Sequence, residues 1–281
     1  MMKENIELNR AREFGDIISD TFVIFRQNFK PLLKSFLVIC GLFLIADTFI
    51  TAIVNNTRHS DDVSLHQHWL FLGVVFGVVY NTAFVVTVLS YLAIYKEKGN
   101  QPAEVLEVWS YFKYYYFRVF LTQVLLIIAA IIAFLFCFFP GVYLSVVFSL
   151  VMPVMIIENG SIEYSFKRAF KIIKENWWFT FGTILLIVII VLACTLILLL
   201  PPMIFYGGAQ WLLGESPDNT AGIIQAALMN LCQILWIIPI IAITLIYYSL
   251  IEEKEGNSLV NRIKMFGKNT PGTDQISSEQ Y

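Results

Sequence analysis

Charged side chains are scarce in this chain of 281 residues. Aspartate, glutamate, lysine and arginine make up 14% of the sequence, whereas ordinary soluble domains carry roughly 25%. The formal net charge of -2 provides no coherent basic surface, so we predict no nucleic-acid partner. Because so few charges are present, their positions along the chain are informative.

Cysteine is also rare, and it occurs only inside apolar segments. Cys40, Cys137, Cys194 and Cys232 are therefore expected to be small packing residues rather than disulfide partners or metal ligands. The sequence contains no nucleophile elbow, P-loop, dinucleotide fingerprint or HExxH pattern. We predict no catalytic residue, no cofactor and no metal, and we expect a protein that is not an enzyme.

Long apolar runs make up most of the chain. Hydrophobic residues account for 58% of it, and the mean hydropathy is +0.70. About 20 apolar residues cross a bilayer as a helix, and such stretches lie at about 31–54, 69–94, 117–139, 142–157, 177–200 and 223–250. The sequence thus predicts an all-α, six-span membrane bundle in one domain, 1–250, followed by a polar, disordered tail, 251–281.

Prolines divide these runs. The Pro-Gly pair at 140–141 predicts a minimal turn between the third and fourth spans, and the Pro-Pro pair at 201–202 predicts the end of the fifth. The apolar piece that follows, 203–213, is too short to cross and is expected either to lie at the outer interface or to re-enter the membrane. Pro239 predicts a kink in the sixth span.

Three amphipathic segments, 14–29, 103–115 and 162–177, precede pairs of spans. In the third segment an apolar stripe recurs at steps of three and four, formed by Ile162, Phe166, Ala169, Phe170, Ile173 and Trp177. The other faces carry Lys167, Arg168, Lys171 and Lys174. A basic helix with an apolar stripe between two spans is typical of the headgroup layer. We predict that these four side chains contact anionic lipid headgroups or a partner.

The three amphipathic segments also align with one another. Laying the third over the first pairs Phe14 with Ile162 and Phe22 with Phe170, and the second gives a fainter match. We predict three copies of one unit, an interfacial helix followed by a two-helix hairpin. Of the 19 lysines and arginines, only Arg58 falls on the far side, so the positive-inside rule places both termini and the interfacial helices in the cytoplasm.

A few polar residues lie inside the predicted spans. Asp47 is the one acid well inside a span, where an ionised group costs roughly 2.5–3.5 kcal/mol. It is either a proton or cation relay or a residue that reaches water at the outer end of span one. The amides are either a polar path or interhelical hydrogen-bonding residues; they are Asn81, Gln123, Gln225, Asn230 and Gln233.

The histidines cluster in the polar connection after span one. His59, His66 and His68 lie beside Asp61 and Asp62. On an extended segment the rings of His66 and His68 project to one side, and imidazole with carboxylate suits zinc or copper. No further ligand framework accompanies them, so solvated loop residues are the favoured interpretation and a metal-responsive sensor is the minor one.

One stretch, 140–178, has a specific arrangement. A Pro-Gly turn leads into a short span with Pro153 near its end; an amphipathic helix with Ser165 and basic residues follows, and then the Trp177-Trp178 pair. This resembles the bacterial six-span membrane proteins of uncertain function that include the YciC-like proteins and the membrane domain attached to some glycerophosphodiester phosphodiesterases. The resemblance implies a bacterial inner-membrane location and a helical bundle. It brings no catalytic residue, and the phosphodiesterase domain has no counterpart in this sequence.

Two functional hypotheses follow. The leading one is a non-enzymatic accessory or scaffold protein whose amphipathic helices contact lipid and whose spans pack against a membrane-protein partner or a second copy. The alternative is a small transporter or lipid-handling protein that uses Asp47 and the intramembrane asparagines and glutamines.

Overall fold

The computed structural model describes residues 7–57, 63–213 and 219–256, and between 202 and 225 it describes the side chains of Ile204 and Ile224 only. Within these residues all regular structure is helical, which confirms the all-α prediction. The helices are α1 (Phe14–Thr57), α2 (Val63–Glu97), α3 (Val105–Phe136), α4 (Phe138–Ile157), α5 (Ile162–Ile173), α6 (Trp177–Leu213), α7 (Asn219–Cys232), a 3-10 turn (Gln233–Trp236) and α8 (Ile237–Glu255).

Six stretches of the described chain are long and apolar enough to cross a membrane. They are Phe14–Thr57, Val63–Glu97, Val105–Phe136, Phe138–Ile157, Trp177–Pro201 and Ala226–Glu255. Each contains one predicted span or most of it. The chain is therefore a multi-pass helical membrane protein.

The structure differs from the prediction of three separate interfacial helices. The first two amphipathic segments are the opening turns of α1 and α3, and only the third forms a helix of its own, α5. Helix α1 continues through Pro31 because its buried stripe is unbroken on both sides, with Ile24, Asn28 and Leu32 all buried. Proline removes one helical hydrogen bond, but tertiary packing holds the helix together here. The three-unit repeat stays a prediction.

The turn between the third and fourth spans also differs from its predicted position. The helix breaks at Cys137, which is extended with φ -170 and ψ 145, and Pro140 lies in the first turn of α4. Proline is accepted there because the first-turn N–H groups have no helical partner. Gly141 faces the ring of Phe134, and a Cβ at this position would lie 2.5 Å from it.

The prolines of the last two spans have different effects on their helices. Helix α6 does not end at the Pro-Pro pair but continues to Leu213. The sixth span is interrupted by the 3-10 turn Gln233–Trp236. Pro239 lies just after this turn, in the first turn of α8. The predicted irregularity is therefore present, but it precedes the proline.

Ion pairs and hydrogen bonds gather at one end of the bundle. Arg12 N–H donates to Ser249 Oγ at 2.9 Å, Lys96 Nζ lies 4.2 Å above the ring of Tyr248, and Arg168 pairs with Glu158. We call this the charged end; it comprises 7–20, 96–118, 158–178 and 249–256.

The packed core lies next to the charged end. In α2 every residue from Tyr80 to Tyr95 is buried except Asn81 and Val85, whereas 63–79 are exposed or half-buried. Phe36 and Phe84 meet edge to face inside it, with ring centroids 5.5 Å apart. Helix α2 is therefore tightly packed in the half next to the charged end and more exposed in its other half.

Candidate intramembrane polar site

Asp47 lies where α1, α2 and the 3-10 turn meet. Its side chain is 8% exposed, and it faces a cleft of about 340 Å³. The cleft is lined by Asp47, Gly77, Tyr80, Asn81, Phe84, Gln233 and Trp236. The α2 residues among them recur at helical steps of three and four, so one face of α2 forms a wall of the cleft.

The broken sixth span supplies the polar partners of Asp47. The Asn230 side chain hydrogen-bonds with Asp47, and its Nδ2 donates to Thr48 Oγ1 at 2.9 Å. Gln233 Nε2 donates to Asn230 Oδ1 at 3.1 Å. The end of α7 and the 3-10 turn thus each place one amide near the carboxylate, and the Gln233 side-chain oxygen Oε1 stays available as an acceptor.

Tyr80 is a site residue that the sequence reasoning missed. Its hydroxyl is buried and has no hydrogen-bond partner in the described part of the chain, and Tyr80 as a whole is 3% exposed. It lines the same cleft as Asp47. An unpaired buried hydroxyl costs free energy in an apolar environment. Its position one residue before Asn81, at helical spacing from Gly77, is the signal that could have found it.

A second cavity adjoins the first at Asn81. This cavity has a volume of about 220 Å³ and lies between α2, α3, α4 and α8. Gln123 closes its polar edge, because its Nε2 donates to Asn81 Oδ1 at 2.8 Å and its Oε1 accepts from Thr82 Oγ1 at 2.9 Å. The remaining walls are mainly apolar and include Leu126, Phe148 and Ile243. Asn81 borders both spaces, and we refer to the two together as the cleft, with a polar half beside Asp47 and an apolar half beside Leu126.

The structure therefore brings five of the predicted polar residues together in two hydrogen-bonded groups. Asp47, Asn230 and Gln233 form one, and Asn81 and Gln123 form the other. The Gln225 side chain lies outside the described residues. Tyr80 lies roughly 16 Å along α2 from Trp69, because an α-helix rises about 1.5 Å per residue. This distance is about half the ~30 Å thickness of the hydrocarbon core of a bilayer. With the bilayer boundary at Trp69, as the sequence predicts, the site would lie near the middle of the bilayer; the alternative that Asp47 reaches water at the outer end stays a prediction.

The apolar stripe of α5 packs partly against the protein. Phe166 packs on Phe148 of α4 with ring centroids 5.3 Å apart, and Trp177 stacks on Tyr143 of the same helix at 5.6 Å. Ala169 is fully buried. The stripe is therefore in part an intramolecular packing surface, and its contact with headgroups stays a prediction.

The basic side chains of α5 differ in their surroundings. Lys167 forms an exposed pair with Glu163 at 2.6 Å, whereas Arg168 is 18% exposed and pairs with both Glu158 and Glu255. Burial opposes the charged form of Arg168, but its hydrogen bonds to Glu255 and Glu158 outweigh burial and raise its pKa.

Lys171 and Lys174 are exposed, and the Lys171 carbonyl oxygen accepts a hydrogen bond from Lys254 Nζ at 2.9 Å. Of the four predicted headgroup contacts, Lys167, Lys171 and Lys174 point outward. Arg168 is part of the charged-end network instead.

The histidine hypothesis depended on an extended segment, and that premise is wrong for the described part. His66 and His68 lie in α2, which begins at Val63, and helical residues two apart point to nearly opposite sides. His66 Nδ1 lies 3.2 Å from Thr57 Oγ1, and His68 Nδ1 lies 2.6 Å from the Ser64 carbonyl oxygen. Among the residues that the structure describes, no three metal-binding side chains come together. His59, Asp61 and Asp62 lie outside them.

The chain matches no protein-family model, no curated protein and no solved structure. The resemblance in 140–178 stays a prediction. Any functional argument therefore depends on the geometry of the cleft.

Proposed function

We propose that this chain is a small transporter or lipid-handling membrane protein whose ligand binds in the cleft beside Asp47. The observation that carries the proposal is the nearly buried Asp47 carboxylate, which lines a cleft with further hydrogen-bonding groups. An ionised carboxylate inside a span is costly, and the described residues that line this cleft include amides but no cation. A ligand group that pairs with it would offset that cost.

The break in the sixth span supports the same proposal. Transporters commonly form their sites near the bilayer midplane from interrupted helices, whose unwound backbone and helix ends provide polar contacts. Here the interruption, Gln233–Trp236, lines the cleft itself. Pro239, four residues after Leu235, accounts for the position of the break, and the break brings Gln233 and Trp236 to the cleft.

The distribution of packing supports access from one side. From Tyr80 toward the charged end α2 is tightly packed, whereas its residues 63–79 are exposed or half-buried. We further propose that the charged end faces the cytoplasm of a bacterial inner membrane, in line with the charge bias and the family resemblance. The cleft would then open toward the outer side in this conformation.

The scaffold hypothesis has less support. It relied on amphipathic surfaces left free for lipid or a partner, but part of the apolar stripe of α5 packs against α4. The first two amphipathic segments are continuous with their spans. The scaffold hypothesis stays a prediction, and so does the expectation that the protein is not an enzyme.

The proposal is tested by the small molecules and lipids that stay bound to the protein. The tagged protein is isolated in a lipid-retaining polymer as wild type, as Asp47→Asn and as the matched control Asp16→Asn at the charged end, and bound species are measured by mass spectrometry. We expect a species that wild type and the control retain and Asp47→Asn loses. That species is then followed across the membrane of proteoliposomes, where Asp47→Asn and Asn230→Leu should abolish its flux. Identical bound species in all three samples would contradict the proposal.

A further inference from the structure

The cleft has two chemically different halves that share one residue. Asp47, Tyr80 and Gln233 line the polar half, while Leu126, Phe148 and other apolar residues line the second half. Asn81 borders both. A ligand that fills the cleft therefore needs a polar group joined directly to an apolar one.

The polar half is built to accept hydrogen bonds from a cation. Its acceptors are the Asp47 carboxylate, the Gln233 Oε1 atom and the unpartnered Tyr80 hydroxyl. Neither half is lined by lysine, arginine or histidine among the described residues. A carboxylate or phosphate would thus face Asp47 without a balancing charge. A primary ammonium carries one positive charge and three N–H donors, which matches these acceptors.

Aromatic rings complete the polar half. Phe84 and Trp236 line it together with Tyr80, and the faces of such rings attract cations. The same walls exclude strongly hydrated anions. Charge, hydrogen-bonding pattern and wall chemistry therefore all favour an amine.

The apolar half of the cleft determines which substituent on the amine it can accommodate. Its volume of about 220 Å³ exceeds the ~150 Å³ of an apolar cavity that accommodates benzene. Because this space lies between helices and not at the outer end of the bundle, it suits a hydrocarbon arm that enters past Asn81. A simple metal cation or a proton would leave this half empty.

We propose that the cleft binds a primary amine bearing a single hydrocarbon arm, with the ammonium at Asp47 and Tyr80 and the arm between α2, α3, α4 and α8. This inference rests on the proposed function, because it names the ligand class of the same cleft. Tyr80 is a ligand-binding residue in it, since its hydroxyl accepts one ammonium N–H.

The test uses radiolabelled n-octylamine with the full-length protein in nanodiscs, and empty nanodiscs correct for partitioning into lipid. Unlabelled n-octylamine should displace the label, while n-octanoate and n-octanol should compete at least about tenfold less well, because each lacks the charge-assisted hydrogen bonds to Asp47. Equal competition by octanoate would overturn the assignment of a cationic group.

Variants then locate the two ends of the ligand. Asp47→Asn should weaken octylamine binding about tenfold or more, and Tyr80→Phe by several-fold, because each loses a hydrogen bond to a charged group. Met152→Trp fills the apolar half and should weaken octylamine but not methylamine. Leu121→Trp, on the exposed surface of α3, is its matched control. Unchanged octylamine binding in Met152→Trp would overturn the placement of the arm.

The result separates this inference from the proposed function. If octylamine fails to bind wild type while mass spectrometry finds another Asp47-dependent species, the amine class is wrong and the proposed function stands. If no bound species depends on Asp47, both fail. Should Asp47→Asn not fold, the competition series and Tyr80→Phe still decide the question.

Discussion

Replacing Arg168 by glutamine should destabilise the protein far more than the same change at its neighbour Lys167. Both residues lie on α5 and both pair with glutamates. Arg168 is 18% exposed and joins Glu158, which is 17% exposed, to Glu255 at the end of α8. Lys167 and Glu163 are 76% and 77% exposed.

The magnitude follows from this difference in exposure. A hydrogen bond to a charged group is worth about 1.5–3 kcal/mol, and Arg168 makes one to each glutamate. Because Glu255 is half-exposed, its hydrogen bond is worth an amount near the low end of this range. In the variant Glu158 still accepts a hydrogen bond from the Tyr247 hydroxyl at 2.8 Å, which limits the loss of stability there. We expect Arg168→Gln to lower the free energy of unfolding by about 2 kcal/mol. For Lys167→Gln we expect about 0.3–0.5 kcal/mol, as for other exposed helical pairs.

Unfolding by sodium dodecyl sulfate in mixed micelles, followed by tryptophan fluorescence, measures both changes in one system. Added salt should abolish the small Lys167 effect and leave most of the Arg168 effect, because buried pairs are screened less. The reasoning is refuted if the two variants lose equal stability. That result would mean that the network between α5 and α8 contributes nothing beyond an ordinary surface pair.

Two further predictions use the same assay. Tyr91→Phe removes the hydroxyl that donates to Asn28 Oδ1 at 3.0 Å, a hydrogen bond between fully buried side chains. The change should lower the free energy of unfolding by about 0.6–1.7 kcal/mol. No loss of stability would mean that the Asn28 oxygen finds another donor. Gly141→Ala places a Cβ 2.5 Å from the Phe134 ring and should cost about 1 kcal/mol, whereas Gly41→Ala, with no atom within 4 Å, should be neutral or stabilising because it lies inside a helix. Equal effects of the two alanines would contradict the proposed crowding.

The number and approximate position of the spans could be predicted from sequence because a bilayer demands about 20 apolar residues per crossing. Helix ends could not be predicted equally well. Whether α1 stops at Pro31 depends on the burial of Ile24 and Leu32, which lie on either side of the proline. That is a tertiary property, and local proline rules do not contain it.

The site was only partly predictable for a related reason. Asp47 and the amides stand out as polar residues in apolar runs. Whether these residues come together depends on how each span is rotated about its axis. The sequence of a uniformly apolar segment such as α2 does not determine that rotation. Tyr80 was missed because tyrosine in a span is unremarkable until its hydroxyl is found to be buried without a partner.

The unbroken course of α1 fixes the rotational phase of its two ends relative to each other. Asn28 meets Tyr91 near the charged end, and Asp47 meets Asn230 in the cleft, both from the same uninterrupted helix. One residue inserted between them would turn Asp47 by about 100° relative to Asn28 and shift it by about 1.5 Å. Both contacts could not then form together. The segment between Asn28 and Asp47 is thus a spacer of fixed length, which tolerates substitution much better than insertion or deletion.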